Sequence, residues 1–443
     1  MPVSVMLILL TVLLSSIVES GISLDFEIVS SQIEQNYKRD TFDTAVALQR
    51  NVYLTNLAIG SNKDDVVVSI DTGSSELWVM STDVSCQTVS QLHSENPPDI
   101  PHLFNDLPQD YSCAANGTFN TKDSATYQFI SNDFSIGFAD GSAAIGEYGR
   151  DDVGVGNVTI EGLKLGVANA SSVDMGILGI GRNDKYGNFV SLLRKQGHIN
   201  SAQYAIYLND KTGNILFGSV DDTKYIGHLA TTHMENSAVH IKEVWLSSSD
   251  SNAKTTIQSG SKHVIFDTGS TFSTLPSNWI QKIGQSLNGT YDDNEMAYQV
   301  PCEMKDIDTK FNFKVSNTTL SVPVSDFIIN NERTNGKCYL GIMDESLIGG
   351  TIFGSDILKQ FYVVFNLEDN KLSIAPVTHE DIASESQSSS QNQSQSQSQS
   401  KPSNSEEDRF ANRSEASTYR KKTLLYVYCI SLMLLSIYVI VLY

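Results

Sequence analysis

Short runs of β-branched and aromatic residues recur through the body of the chain, at Val66-Val67-Val68-Ser69-Ile70, Leu216-Phe217, Val264-Ile265-Phe266 and Phe361-Tyr362-Val363-Val364-Phe365. Such residues suit a pleated, half-buried surface, and runs this short predict strands rather than helices. Triplets such as Thr212-Gly213-Asn214 and Glu368-Asp369-Asn370 punctuate them and read as turns. Helical spacing is brief, at Asn188 to Gln196 and Pro276 to Ser286. The pattern predicts a mainly β body over residues 40–378.

Both ends depart from this pattern. Val5 to Val18 is a 14-residue apolar run, too short to span a bilayer comfortably, and Glu19-Ser20-Gly21 follows it. Residues 1–20 therefore read as a secretory signal, with a membrane anchor as the alternative. Ser384 to Ser405 contains no aromatic or aliphatic residue, so it has nothing to bury and stays extended and solvated; residues 379–412 read as a stalk. The last 21 residues, Thr423 to Tyr443, are apolar again, behind Arg420, Lys421 and Lys422. Small residues, a polar spacer (Glu415 to Lys422) and an apolar end make residues 413–443 a removable GPI-attachment signal. Asn412 or Ser414 is the attachment residue. A retained transmembrane anchor is the alternative.

Charge narrows the partners. The 443 residues carry 30 Lys+Arg against 51 Asp+Glu, a net charge of −21. Phosphates would be repelled, which argues against nucleic acid, while basic partners would be attracted. A 40% hydrophobic content belongs to a folded chain. Of the five cysteines, Cys429 leaves with the tail signal, so Cys86, Cys113, Cys302 and Cys338 remain to pair in an oxidising compartment. Sequential pairing, Cys86–Cys113 and Cys302–Cys338, is expected among the three possible connectivities and places one bridge in each half. Sequons stand at Asn116, Asn157, Asn169, Asn288, Asn317, Asn392 and Asn412, several of them expected to carry glycans.

Inside the body lies a repeat. Val68-Ser69-Ile70-Asp71-Thr72-Gly73-Ser74-Ser75 returns 196 residues later as Val264-Ile265-Phe266-Asp267-Thr268-Gly269-Ser270-Thr271. Each copy is followed by an apolar-apolar-Gly step, Ile177-Leu178-Gly179 and Ile352-Phe353-Gly354. Two lobes related by a pseudo-twofold would bring both Asp-Thr-Gly turns to one interface. Carboxylates about 3 Å apart cannot both ionise, so Asp71 and Asp267 would share a proton. One could then take a proton from water while the other donates to a carbonyl oxygen, which hydrolyses an amide without a covalent intermediate. No cofactor is needed. Metal-dependent hydrolysis is disfavoured because the eight histidines include no HExxH-type pair, and no G-x-S-x-G elbow supports a serine nucleophile.

Over residues 40–378 the sequence resembles the pepsin-like aspartic proteases. The resemblance rests on Asp71-Thr72-Gly73-Ser74-Ser75-Glu76-Leu77-Trp78-Val79, on Asp267-Thr268-Gly269-Ser270-Thr271, and on the segment from Ile352 to Phe365. It implies a bilobed β fold with a cleft between pseudo-twofold lobes, 40–220 and 221–378, and Asp71 and Asp267 as the catalytic pair. Thr72 and Thr268 would interlock the loops, and Ser74 and Ser270 would hydrogen-bond the outer carboxylate oxygens. Phe134 to Ser142 looks like the flap hairpin, with Phe138, Asp140 and Gly141 at its tip. Phe138 replaces the family's usual tyrosine, so the flap has lost a hydroxyl near Trp78. A slowed but working enzyme is expected, and a binding-only or wall-associated homologue is the alternative.

With the signal, the dibasic Lys38-Arg39, the stalk and the tail, the chain resembles the fungal yapsins. Candidapepsin-like enzymes share the head but mostly lack such a tail. The likeness implies a short pro-segment, residues 21–39, removed after Lys38-Arg39. It also implies a monomeric endopeptidase at the plasma membrane or bound to cell-wall glucan, cutting peptide or protein substrates at Lys or Arg in acid. Acidic subsites would be needed, with Glu76, Glu95, Asp99, Asp106, Asp110 and Asp140 as candidates.

Overall fold

The computed structural model describes residues 21–30, 51–92, 111–137 and 142–378, apart from 184, 209–211, 236, 250–253, 294, 331–335 and 348. The signal, Lys38, Arg39, Glu95, Asp99, Asp106, Asp110, Phe138, Asp140, Gly141, the stalk, Asn392, Asn412, Ser414 and Cys429 lie outside the described residues.

Each half is built around one topological unit, repeated. In the first, the strand Asp64–Asp71 points Val66, Val68 and Ile70 into the core, as period-two alternation requires. It runs parallel to Gly176–Gly179, pairing Asp71 with Gly179. On the other side of that short strand lies Leu77–Cys86, antiparallel, with Trp78 opposite Ile177. In the second half, Lys254–Phe266 runs parallel to Ile352–Phe353, and Thr274–Leu275 meets the same short strand antiparallel. The two apolar-apolar-Gly steps are therefore the strands slotted behind each Asp-Thr-Gly turn. Their glycines are required for space: a Cβ on Gly179 would stand 2.5 Å from the Glu76 nitrogen, and one on Gly354 2.6 Å from the Ser270 carbonyl. The fold is bilobed and mainly β.

A sheet joins the lobes. Gln203–Leu208 pairs with Phe361–Asn366, so Ile206 faces Val363 across the boundary. Outward on one side lie Thr212–Phe217 and then Ile22–Ser30; on the other lie Lys371–Pro376 and Ala230–Glu235. The segment read as a pro-segment thus contributes a strand to this sheet, paired also to Asn51–Ile59. Thr212-Gly213-Asn214 is not a turn: it opens a strand, with Gly213 paired to Phe26 on one side and Leu208 on the other. Pairing along both edges satisfies its backbone and overrides the local preference of glycine for turns. Glu368-Asp369-Asn370 is a turn, closed by Asn370 at a φ of 54°.

The brief helices fall where their spacing placed them. Phe189–Lys195 is capped by the Asn188 side chain, which accepts from the Ser191 N–H, and Ser277–Ser286 buries Trp279, Ile280 and Ile283. One disulfide joins Cys86 to Cys113 and a second joins Cys302 to Cys338, with Cα separations of 5.5 and 5.2 Å.

Candidate active site

Asp71 ends one buried strand and Asp267 follows another, and both are almost inaccessible, at 0% and 1% exposure. Thr72 and Thr268 interlock beneath them. The Thr72 hydroxyl donates to the Phe266 carbonyl at 3.0 Å and accepts from the Thr268 N–H at 3.0 Å. Reciprocally, the Thr268 hydroxyl donates to the Ile70 carbonyl and accepts from the Thr72 N–H, both at 3.2 Å. These four bonds cross the lobe boundary and fix the two turns face to face.

The Gly73 N–H reaches both carboxylates, at 2.8 Å from Asp71 Oδ1 and 3.2 Å from Asp267 Oδ1. Only glycine permits this approach, because a Cβ there would stand 2.7 Å from the Asp267 carboxyl carbon. Asp267 Oδ1 also accepts from the Gly269 N–H at 2.8 Å, and Oδ2 accepts from the Ser270 hydroxyl at 2.8 Å. Asp71 is poorer in partners. Ser74 faces it closely enough to favour its charge, but among the described residues neither the Ser74 hydroxyl nor the buried Asp71 Oδ2 closes a hydrogen bond of standard geometry. Burial first, then the charge of Asp267 and a hydrogen bond with it, hold the Asp71 carboxyl well above the usual range, against the opposing pull of Ser74 and Gly73. Three donors, from Gly73, Gly269 and Ser270, meet the Asp267 carboxyl and favour its charged form. Such a pair can accept one proton from water and deliver another to a carbonyl oxygen.

The strands Gln128–Gly137 and Ala143–Val155 form a hairpin, paired as far as Gly137 with Ala143. Phe134 and Ile136 pack on the fully buried Trp78, with Phe134 and Trp78 ring centroids 6.1 Å apart. The hairpin base therefore rests on the residue next to the catalytic segment.

Glu76 is engaged within the lobe. It accepts from the Tyr148 hydroxyl at 3.0 Å and from the Tyr186 hydroxyl, and the Lys164 ammonium lies 3.9 Å away. Lys164 sits 3.6 Å above the Tyr148 ring and 4.2 Å from the Tyr186 centroid. With two hydroxyls and a cation as partners, this carboxylate is largely neutralised in place.

Two residues near the pair escaped sequence reasoning. Tyr204 is buried, and burial followed by the Asp71 and Asp267 charges pushes its phenol well up. Asp356 lies behind the second turn, accepting from the Ser273 N–H at 2.9 Å and the Ser273 hydroxyl at 2.6 Å. Burial pushes its carboxyl up to about 6, against those hydrogen bonds. A signal existed only for Asp356, an acid inside an otherwise apolar segment.

A bilobed β fold holding two interlocked Asp-Thr-Gly turns at one interface defines a class, and the comparisons with known proteins agree with it. The chain matches the eukaryotic aspartyl protease family over residues 52–377 and belongs to that family; it is an aspartic endopeptidase acting on peptide or protein substrates. It is 46% identical to secreted aspartic protease 10 of Candida albicans over 83% of this chain and 81% of the relative. It is 30% identical to candidapepsin of Candida tropicalis over 81% and 88% of the two chains. The crystal structure of an aspartic proteinase from Irpex lacteus superposes with a TM-score of 0.58 at 19% identity, over 81% of this chain and 98% of that one.

Proposed function

We propose that Asp71 and Asp267 are the catalytic pair of an acid-active endopeptidase held at the cell surface. In this reading, ionised Asp267 takes a proton from water as its oxygen attacks the scissile carbonyl carbon. Asp71 donates its proton to the carbonyl oxygen. Asp267 then passes its proton to the amide nitrogen, the C–N bond breaks as one hydroxyl of the tetrahedral intermediate returns its proton to Asp71, and the pair is left sharing one proton. The observation that carries this is the single Gly73 N–H held between both inner oxygens. A pepstatin-sensitive digest at roughly pH 4, lost in Asp71→Asn, tests it; digestion that survives Asp71→Asn would overturn it.

Entry to the secretory pathway is supported by the secreted relatives and by the apolar leader. The yapsin-like tail supports lipid attachment at Asn412 or Ser414 and residence at the membrane or wall glucan; phospholipase release from intact cells tests it. Removal of residues 21–39 after Lys38-Arg39 would require the paired strand Ile22–Ser30 to leave the sheet or stay bound non-covalently. N-terminal sequencing of the secreted form distinguishes a start at Asp40 from one before Ile22. Preference for Lys or Arg would rest on Glu95, Asp99, Asp106, Asp110 and Asp140, since Glu76 is already partnered; a peptide library cut after apolar residues instead would remove this part of the reading. Among the sequons, Asn157, Asn169, Asn288 and Asn317 are exposed, which supports glycan attachment. Asn116 is half-buried and donates its amide to the Asp174 carbonyl at 3.0 Å, which disfavours it.

A further inference from the structure

Three adjacent strands bring Glu235, His240 and His263 together. Glu235 ends the strand Ala230–Glu235 and pairs with Ala238 across a tight hairpin. His240 is two residues beyond Ala238 on Ala238–Ser248, and His263 is its direct cross-strand partner on Lys254–Phe266. Period-two alternation sets all three side chains on one face of the sheet. All are at least partly exposed, and their ligand-capable atoms lie within 4.8 Å of one another.

The distances suit a metal ion. His240 Nε2 lies 2.9 Å from His263 Nε2 and 3.4 Å from Glu235 Oε2, and His263 Nε2 lies 3.8 Å from that same oxygen. A circle through the three atoms has a radius of about 2.0 Å, so one ion could touch all of them at the roughly 2.0–2.1 Å typical of Zn–N and Zn–O bonds. The spacings also bracket the ~3.3 Å edge of a tetrahedron with such bonds. His240 is held from behind, because its Nδ1 meets the Ser261 hydroxyl at 2.8 Å, which fixes the ring with Nε2 toward His263 and Glu235. A bulge opposite Ile241 and Glu243, with Gly260 at a φ of 104°, absorbs the extra residue next to Ser261. The neighbouring cation Lys262 pairs instead with Glu345, at 2.9 Å.

We infer that Glu235, His240 and His263 form a divalent transition-metal site that takes Zn²⁺, with a solvent molecule as fourth ligand. The ion would clamp the hairpin to the strand that leads, four residues later, into Asp267. None of the three residues belongs to the two Asp-Thr-Gly turns.

The purified secreted protein, stripped with a chelator, is titrated with Zn²⁺ against a chromogenic competitor. One ion per chain is expected, with a rise in melting temperature. His240→Ala and His263→Ala should each weaken binding at least about tenfold and abolish the rise, and Ser261→Ala should weaken it less. Co²⁺ in the wild type should show the visible bands of tetrahedral coordination, and these should vanish in His263→Ala. All of these side chains are partly exposed, so the variants keep the fold. Less than one ion per chain, or one bound equally well by both histidine variants, overturns the inference.

Discussion

The first Asp-Thr-Gly turn and the second are near copies in sequence, yet they hold their carboxyls differently. Among the described residues, Asp267 accepts from the Gly73, Gly269 and Ser270 donors, the first of them in the other lobe, whereas Asp71 accepts from the Gly73 N–H, is hydrogen-bonded to Asp267 and keeps a buried oxygen with no partner of standard geometry. The serines diverge in the same sense: Ser270 closes its bond to Asp267, and Ser74 does not close one to Asp71. Behind the turns the contrast continues. Two residues past Gly354 stands the buried acid Asp356, and two residues past Gly179 stands Gly181. Duplication thus supplies two carboxyls at one interface, and small departures from symmetry give them different hydrogen-bond partners.

The most severe perturbation of this arrangement falls on the carboxyls themselves. Asp71→Asn and Asp267→Asn should each lower kcat at least about 10³-fold with the fold retained, since either change removes one half of the proton exchange. Equal activity of either variant with the wild type would exclude the pair. The interlock comes next. Thr72→Val leaves the Phe266 carbonyl and the Thr268 N–H buried and unpaired, costing about 2–4 kcal/mol, and Thr268→Val should cost the same, because the four bonds are reciprocal. Denaturant unfolding measures both; a clear inequality would show that the symmetry fails there too.

Stability should depend on pH with a definite sign. Asp356 is raised in the folded state, to about 6, and Asp71 is raised well above its ordinary value. The folded protein therefore binds these protons more tightly than the unfolded chain. Their contribution is complete in acid and is lost as pH rises from the ordinary carboxylate range toward and past 6, with about 3 kcal/mol from Asp356. Melting temperature should fall between pH 4 and 7, less steeply in Asp356→Asn. A profile unchanged by that substitution would remove the buried acid from the account. The smallest expected effect separates the serines: Ser270→Ala should reduce kcat/KM roughly tenfold or more by withdrawing a donor from a charged group, while Ser74→Ala should change it little. A Ser74→Ala effect as large would mean that the hydroxyl engages Asp71 during turnover.

Much of this architecture is legible in the residues alone. Strand runs ending in Asp-Thr-Gly, the later apolar-apolar-Gly steps and the two brief helices are local signals, and the local chain adopts them. Thr212-Gly213-Asn214 shows the limit: its turn residues lie between two neighbouring strands, and pairing on both sides outweighs their preference. Glu76 shows another. Next to the catalytic turn it reads as a substrate-facing acid, but Tyr148, Lys164 and Tyr186, distant in sequence, converge on it.

By itself the sequence determined the class: a duplicated motif carries the two acids, their threonines and the glycines that allow close approach, because those requirements are written in residue types at fixed local spacing. Only the tertiary structure decided which carboxyl meets the Gly73, Gly269 and Ser270 donors, that Tyr148, Tyr186 and Lys164 engage Glu76, that Asp356 is buried, and that Glu235 meets two histidines. Each depends on residues far apart in the chain arriving within hydrogen-bonding distance, and no local pattern encodes that arrival.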